Sequence, residues 1–153
     1  MKRRTLFAGA LGLLLLAGYV FWIDRTSVSG KMETALGLSF LVPEGRTLEV
    51  GERGIMMSNP KTYRSSDYIA LHPNGLPDLA DYASGELVSR GDKPAAFEVW
   101  ARGGGSGGEE YALTTTKVVD GKTVDVVGVF QTEWGTPNFA ETWAVWESLE
   151  LAE

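Results

Sequence analysis

The stretch YALTTTKVVDGKTVDVVGVFQTEWGTPNFAETWAVWESL, residues 111–149, joins two β-rich runs through Asp120-Gly121 and ends in a tryptophan-rich segment. Asp-Gly between such runs is a strong hairpin signal, because a type I′ turn needs φ > 0 at both central residues. With Asp120 and Gly121 in the turn, Val119 faces Lys122, Lys117 faces Val124, Thr115 faces Val126, Leu113 faces Gly128 and Tyr111 faces Phe130. Side chains alternate along a strand, so these pairs share one side of the hairpin. Val118–Thr123, Thr116–Asp125, Thr114–Val127, Ala112–Val129 and Glu110–Gln131 share the other. The first side is aromatic and aliphatic, the second mostly hydroxyl and charge. A slip of one residue would turn Asp125 and Glu133 into the core, which makes the register firm.

The helix predicted after Gly135 has Thr136 as its cap and Pro137 at its first position, where a missing N–H costs nothing. Phe139, Trp143 and Trp146 then fall on one face, with Glu141 and Glu147 pointing away. That aromatic face is expected to cover the apolar side of the hairpin.

Toward the N-terminus, Thr5 to Ile23 is an uncharged run behind Lys2-Arg3-Arg4. As a helix it measures about 28 Å, close to the ~30 Å of a bilayer's hydrocarbon core. The basic flank 1–4 predicts a cytoplasmic N-terminus with the rest of the chain outside. Tyr19, Phe21 and Trp22 suit a membrane interface, and no small-x-small cleavage site follows closely, so an uncleaved anchor is favoured over a signal peptide. The expectation is one transmembrane helix over 5–23, a linker over 24–32, and a periplasmic domain over 33–153. The protein is thereby placed in a bacterial inner membrane as a single-pass chain.

Within the domain, Leu36, Leu38, Phe40 and Val42 alternate as in a half-buried strand that ends at Pro43-Glu44-Gly45. Leu48–Glu52 and Ile55–Ser58 are short strand candidates, and Asp67–Leu71 is stopped by His72-Pro73-Asn74-Gly75. Pro77 to Arg90 carries Leu79, Tyr82, Ala83 and Leu87 near helical spacing, with Ser84-Gly85 as its weak point. Ala96–Arg102 alternates again. The resulting order, β-β-β-β-α-β-β-β-α with short connections, predicts an α+β fold: a mainly antiparallel sheet with packed helices. The opening LGLSFLVPEG (36–45), the long hairpin and the closing NFAETWAVWESLEL (138–151) resemble the PsbP-like α/β/α sandwich. The resemblance spans residues 33–151. That superfamily includes bacterial envelope proteins, among them immunity proteins of type VI secretion effectors. The resemblance implies a binding module and transfers no catalytic residues.

Chemistry is sparse. The chain has no cysteine, which removes disulfides and thiolate metal sites. Its net charge of −6 includes the basic flank, so the remainder is more acidic still and argues against nucleic acid. Gly104-Gly105-Ser106-Gly107-Gly108 matches the nucleophile-elbow pattern, but an elbow needs a helix after the serine, and here a strand follows. His72 is the only histidine and cannot build an imidazole-rich metal site. Asp67, Asp78, Asp81 and Glu86 fit no calcium loop. No catalytic residue, metal or cofactor is expected.

One surface stands out. Pairing Ala101 with Tyr111 sets Trp100 opposite Ala112 and beside Val129 on the outer sheet face, with Arg102 facing Glu110. Trp100, Val127 and Val129, rimmed by Arg102, form either a partner-binding patch, since interfaces favour aromatic anchors, or a face that the Leu79/Leu87 helix or the linker covers. The functional expectation is a membrane-anchored periplasmic protein-binding module, in its most concrete form an immunity protein that sequesters a secreted toxin. An acidic domain suits a basic protein partner. The alternatives are an envelope hydrolase using Asp/Glu or a structural subunit of an envelope complex. Oligomeric state is not legible.

Overall fold

Asp120 and Gly121 take φ of 47° and 78°, so the chain turns as type I′ requires. A computed structural model describes residues 28–62, 67–75, 82, 85–104, 108–132 and 137–153. In it Gly108–Val119 and Lys122–Thr132 form the long hairpin, and every pair from Glu110–Gln131 to Val119–Lys122 is in the register read from the sequence.

The described strands are β1 (Gly30–Ala35), β2 (Leu38–Pro43), β3 (Thr47–Val50), β4 (Ile55–Ser58) and β5 (Tyr68–His72). They continue with β6 (Glu86–Gly91), β7 (Phe97–Gly104), β8 (Gly108–Val119), β9 (Lys122–Thr132) and β10 (Glu150–Leu151). The single described helix, α1, is Ala140–Ser148. Seven strands form one antiparallel sheet in the order β3-β4-β5-β9-β8-β7-β6, and β1-β2-β10 form a second, smaller one. β1 begins at Gly30, inside the stretch expected as linker.

One face of the large sheet is covered in two parts. Over β4, β5 and the turn end of β8–β9 lies β2, whose Leu38, Phe40 and Val42 pack with Ile55, Met57, Ile69, Leu71, Val124 and Val126. Over β7 and the other end of the hairpin lies α1, with Phe139 and Trp143 against Val99 and Leu113. Trp143 meets Phe97 and Trp146 edge to face, at 5.5 and 5.9 Å between ring centres. The helix sits so close to β9 that a Cβ at Gly128 would lie 2.2 Å from the Thr142 hydroxyl. Lys117 reaches the far end of α1, donating to the Trp146 and Glu147 carbonyls at 2.9 and 2.8 Å. Those carbonyls have no partner within the helix, and a cation there also matches its dipole. Trp146 answers by donating its indole N–H to the Thr116 carbonyl at 2.9 Å.

Several expectations are corrected. The described fold is dominated by antiparallel sheet, with one helix among the described residues, not an α+β sheet with packed helices. The PsbP-like α/β/α arrangement is not found, because among the described residues a helix lies on only one sheet face. The helix expected over Pro77–Arg90 gives way at its C-terminal half to β6, while 76–81, 83 and 84 lie outside the described residues. Gly85 explains the change: φ of 121° breaks a helix, and a Cβ there would strike the Ala101 carbonyl at 2.3 Å. The edge of β7 then offers β6 a ladder from Glu86 to Gly91, interrupted once between Leu87 and Ser89. Helix α1 starts after Phe139, with no side-chain cap from that residue, so Pro137 precedes it and is not its first residue. Thr136 lies outside the described residues.

The single-pass inner-membrane placement is also corrected. Among the described residues no helix is long and apolar enough to cross a membrane, and the run 5–23 on which the placement rested lies outside them.

The turn geometry carries a prediction. Gly121→Val should destabilise the fold by roughly 1–3 kcal/mol, because a β-branched residue resists φ > 0 even in open space. Gly121→Asn, which tolerates that region, should cost much less. Denaturation midpoints of the two variants check it, and equal midpoints would contradict the turn assignment.

Candidate functional site

The face of the large sheet away from α1 carries cross-strand rows set by register. One runs Tyr68, Val129, Ala112, Trp100, Leu87 across β5, β9, β8, β7 and β6. Beside it runs Ala70, Val127, Thr114, Glu98, Arg90. On the other flank Gln131, Glu110 and Arg102 line up. Trp100, Val127, Val129 and Arg102 therefore share the face the sequence assigned to them.

Burial separates them. Val127 and Val129 are 0% and 2% exposed and pack with Ala70, Ala112, Tyr68 and Tyr82. They form the floor of the face. Trp100 is half-buried, and among the described residues its indole N–H is shut from solvent with no acceptor. A buried donor left unpaired costs about 1–3 kcal/mol, so this residue is held at some expense to stability. Arg102 pairs through its guanidinium with the Glu110 carboxylate. Nearby, the ladder passes from Leu87–Trp100 to Ser89–Val99, which makes exposed Val88 the extra residue of a bulge in edge strand β6. Tyr68 and Tyr82 close the opposite end; burial and a hydrogen bond between the two phenols push the Tyr68 ionisation up.

A groove of about 400 Å³ adjoins this face, lined by Arg90, Phe97, Glu98, Thr114, Thr116 and Asp125. His72 stands across the ladder from Asp125, with both ring nitrogens buried and without partners among the described residues. No three His, Asp or Glu side chains gather there as a metal site, again among the described residues. The glycine-rich elbow pattern has strands on both sides, Gly104 pairing with Gly108, and Ser106 lies outside the described residues. The geometry a nucleophile elbow requires is absent at that loop's described ends.

The strongest polar cluster was not legible in the sequence. Arg46, between β2 and β3, donates from Nε to Glu141 Oε2 at 2.5 Å and from Nη2 to Asp67 Oδ1 at 2.8 Å. Its Nη1 reaches the carbonyls of Met57 and Asp67 at 3.2 and 3.3 Å, and Asp67 Oδ2 accepts from Asn59 at 2.9 Å. The Arg46 and Asp67 side chains are 9% and 10% exposed. Two charges buried this far hold because each guanidinium nitrogen meets at least one acceptor. The cluster ties β4, β5 and α1 to one corner, with the Glu141 carboxylate at its solvent-exposed edge. Residues 46, 59, 67 and 141 have no motif spacing; only the fold brings them together.

Comparison with known proteins gives two findings. The family model described as "Type six secretion immunity 3 domain" matches residues 39–150. The chain is also 30% identical over 115 residues to the "Immune protein Tsi3" of Pseudomonas aeruginosa, covering 75% of this chain and 77% of that protein.

The two tryptophan environments predict different costs. Trp100→Phe removes a donor that has no acceptor among the described residues and should change stability by no more than about 1 kcal/mol, whereas Trp143→Ala empties a packed site and should lose about 3–5 kcal/mol. Chemical denaturation of both variants checks this. Equal losses would mean that Trp100 is a core residue and no candidate for contact.

Proposed function

The chain belongs to the type six secretion immunity 3 domain family, and on that premise we propose that it is an immunity protein, one that binds a secreted toxin and holds it inactive. The observation that carries this reading is the extent of the match. Residues 39–150 run from within β2 to the start of β10, so the family likeness covers the large sheet and its covers, not a fragment. Sequestration also suits the site inventory. The buried cluster around Arg46 is engaged in holding the fold, and the groove beside β7 is lined by hydroxyls together with Arg90, Glu98 and Asp125.

For the contact surface the reading favours the β6–β7 edge of the outer face. Trp100 supplies a large, half-buried aromatic anchor of the type that dominates interface energetics. Arg102 and Glu110 give the rim a charge pair, and Val127 and Val129 support the anchor from beneath without touching the partner. The acidic chain favours a toxin whose facing surface is basic, since complementary fields speed encounter and suppress wrong partners.

The test uses a strain that lacks the chain and is attacked by a type VI-armed competitor. Supplying the parent chain should restore survival, and supplying Trp100→Ala or Arg102→Glu should restore less. With purified toxin, each variant should bind about tenfold or more weakly while still unfolding cooperatively at a midpoint well above that of Trp143→Ala, as expected on losing an anchor worth about 1.4 kcal/mol or more. Failure of the parent chain to protect would overturn the immunity reading. Full protection by both variants would move the contact surface elsewhere.

A further inference from the structure

Among the described residues strand β1 is an edge of the small sheet, and its outer side has a definite hydrogen-bonding pattern. Leu36 and Gly37, at φ of 52° and 76°, make a two-residue turn, which places Ala35 and Leu38 in a mutually bonded pair. Bonded and non-bonded pairs alternate from there, so Glu33–Phe40 and Lys31–Val42 are bonded, while Thr34–Ser39, Met32–Leu41 and Gly30–Pro43 are not. Three independent observations agree. The next pair outward, Ser29 and Glu44, is hydrogen-bonded at 2.9 Å. Pro43, which has no N–H, falls at a non-bonded position. Leu41 turns its N–H away from β1 and donates it to Ser148 at 2.8 Å. The backbone N–H and C=O of Gly30, Met32 and Thr34 therefore point outward from the edge.

We propose that this edge pairs with the same edge of a second copy of the chain, antiparallel about a two-fold axis at Met32. In that register Met32 faces Met32 of the other copy, and Gly30 faces Thr34 in both directions. The three outward-pointing residues of each strand then all fall at bonded positions. Lys31 faces Glu33 twice, at the non-bonded positions where side chains approach most closely and opposite charges stabilise. Both side chains lie on one face already, since Lys31 and Glu33 pair within the strand. Met32, 51% exposed and the apolar residue at the centre of the edge, meets its twin on the other face. A slip by one residue would set each outward-pointing residue opposite one whose backbone groups point back to β2, and would lose the Lys–Glu match. Edge strands with unpaired ladders are normally blocked by like charge or a bulge. Here the charges are self-complementary. A contact of this length buries less than a standard interface of roughly 1,600 Å², so the dimer is weak and concentration-dependent. It leaves β6, β7 and the outer face of the large sheet free.

The absence of cysteine allows a direct test on the full chain. Opposed residues at bonded and non-bonded antiparallel positions have Cα atoms about 5.5 and 4.5 Å apart, both within disulfide range. Under mild oxidation Met32→Cys should form a linked dimer about tenfold faster than Val118→Cys, an exposed reference on a different sheet. A mixture of Lys31→Cys and Glu33→Cys chains should link faster than either alone. Adding Lys31→Glu to Met32→Cys should slow linkage about threefold or more, and adding Glu33→Lys as well should restore it. Three results would overturn the proposal: equal linkage at positions 32 and 118, faster linkage of Thr34→Cys than of Met32→Cys, or indifference to charge reversal. The last would point to association through another segment, such as the apolar run 5–23.

Discussion

The register of the β8–β9 hairpin is the constraint on which the rest of the molecule depends. Two residues in left-handed conformation, Asp120 and Gly121, fix it, and the consequence runs the length of both strands. Because side chains alternate, that one choice sends Leu113, Val124 and Val126 toward β2 and α1, and Ala112, Val127 and Val129 to the other face. Neighbouring strands inherit the assignment: β5 aligns Ile69 and Leu71 with the first set, and β7 aligns Trp100 with the second. The small sheet and the helix then complete the burial of a face whose composition the turn has already decided.

What holds the cover in place differs between its two halves. At the end of α1, Lys117 and Trp146 exchange hydrogen bonds with backbone carbonyls across the gap between strand and helix. Burial pulls the Lys117 ionisation down while Glu147 and Glu150 push it back, which keeps a cation at the helix terminus where carbonyls need one. At the other corner Arg46 ties Asp67, Glu141 and two backbone carbonyls into one cluster. Removing Arg46 alone would strand a buried carboxylate, a change that typically costs about 3–5 kcal/mol. These contacts select one placement of the helix over the many that apolar packing alone would permit.

Local signals were legible and long-range ones were not. The Asp-Gly turn, the alternation in β2 and β7, and the shared face of Phe139, Trp143 and Trp146 all lie within a few residues of one another in sequence. The β6 strand failed because Leu79, Tyr82, Ala83 and Leu87 have helical spacing, while the deciding facts were the backbone of Gly85 and the open edge of β7. Counting that segment as a helix then produced the α+β reading. On the site, register put Trp100 and Arg102 on the outer face. Burial of Val127 and Val129 depended on β5 and Tyr82, which no pattern near residue 127 announces. Arg46 and its partners are spread over 95 positions and carry no motif.

The function proposed for this sheet is that of a surface: as an immunity protein it would occupy its toxin and leave it unaltered. Titration of toxin activity with the purified chain tests that claim most directly. Sequestration predicts residual activity that falls in proportion to added chain, reaches its floor at a fixed molar ratio and does not change with longer incubation. Inactivation that proceeds at substoichiometric amounts and deepens with time would contradict it and make the protein an enzyme.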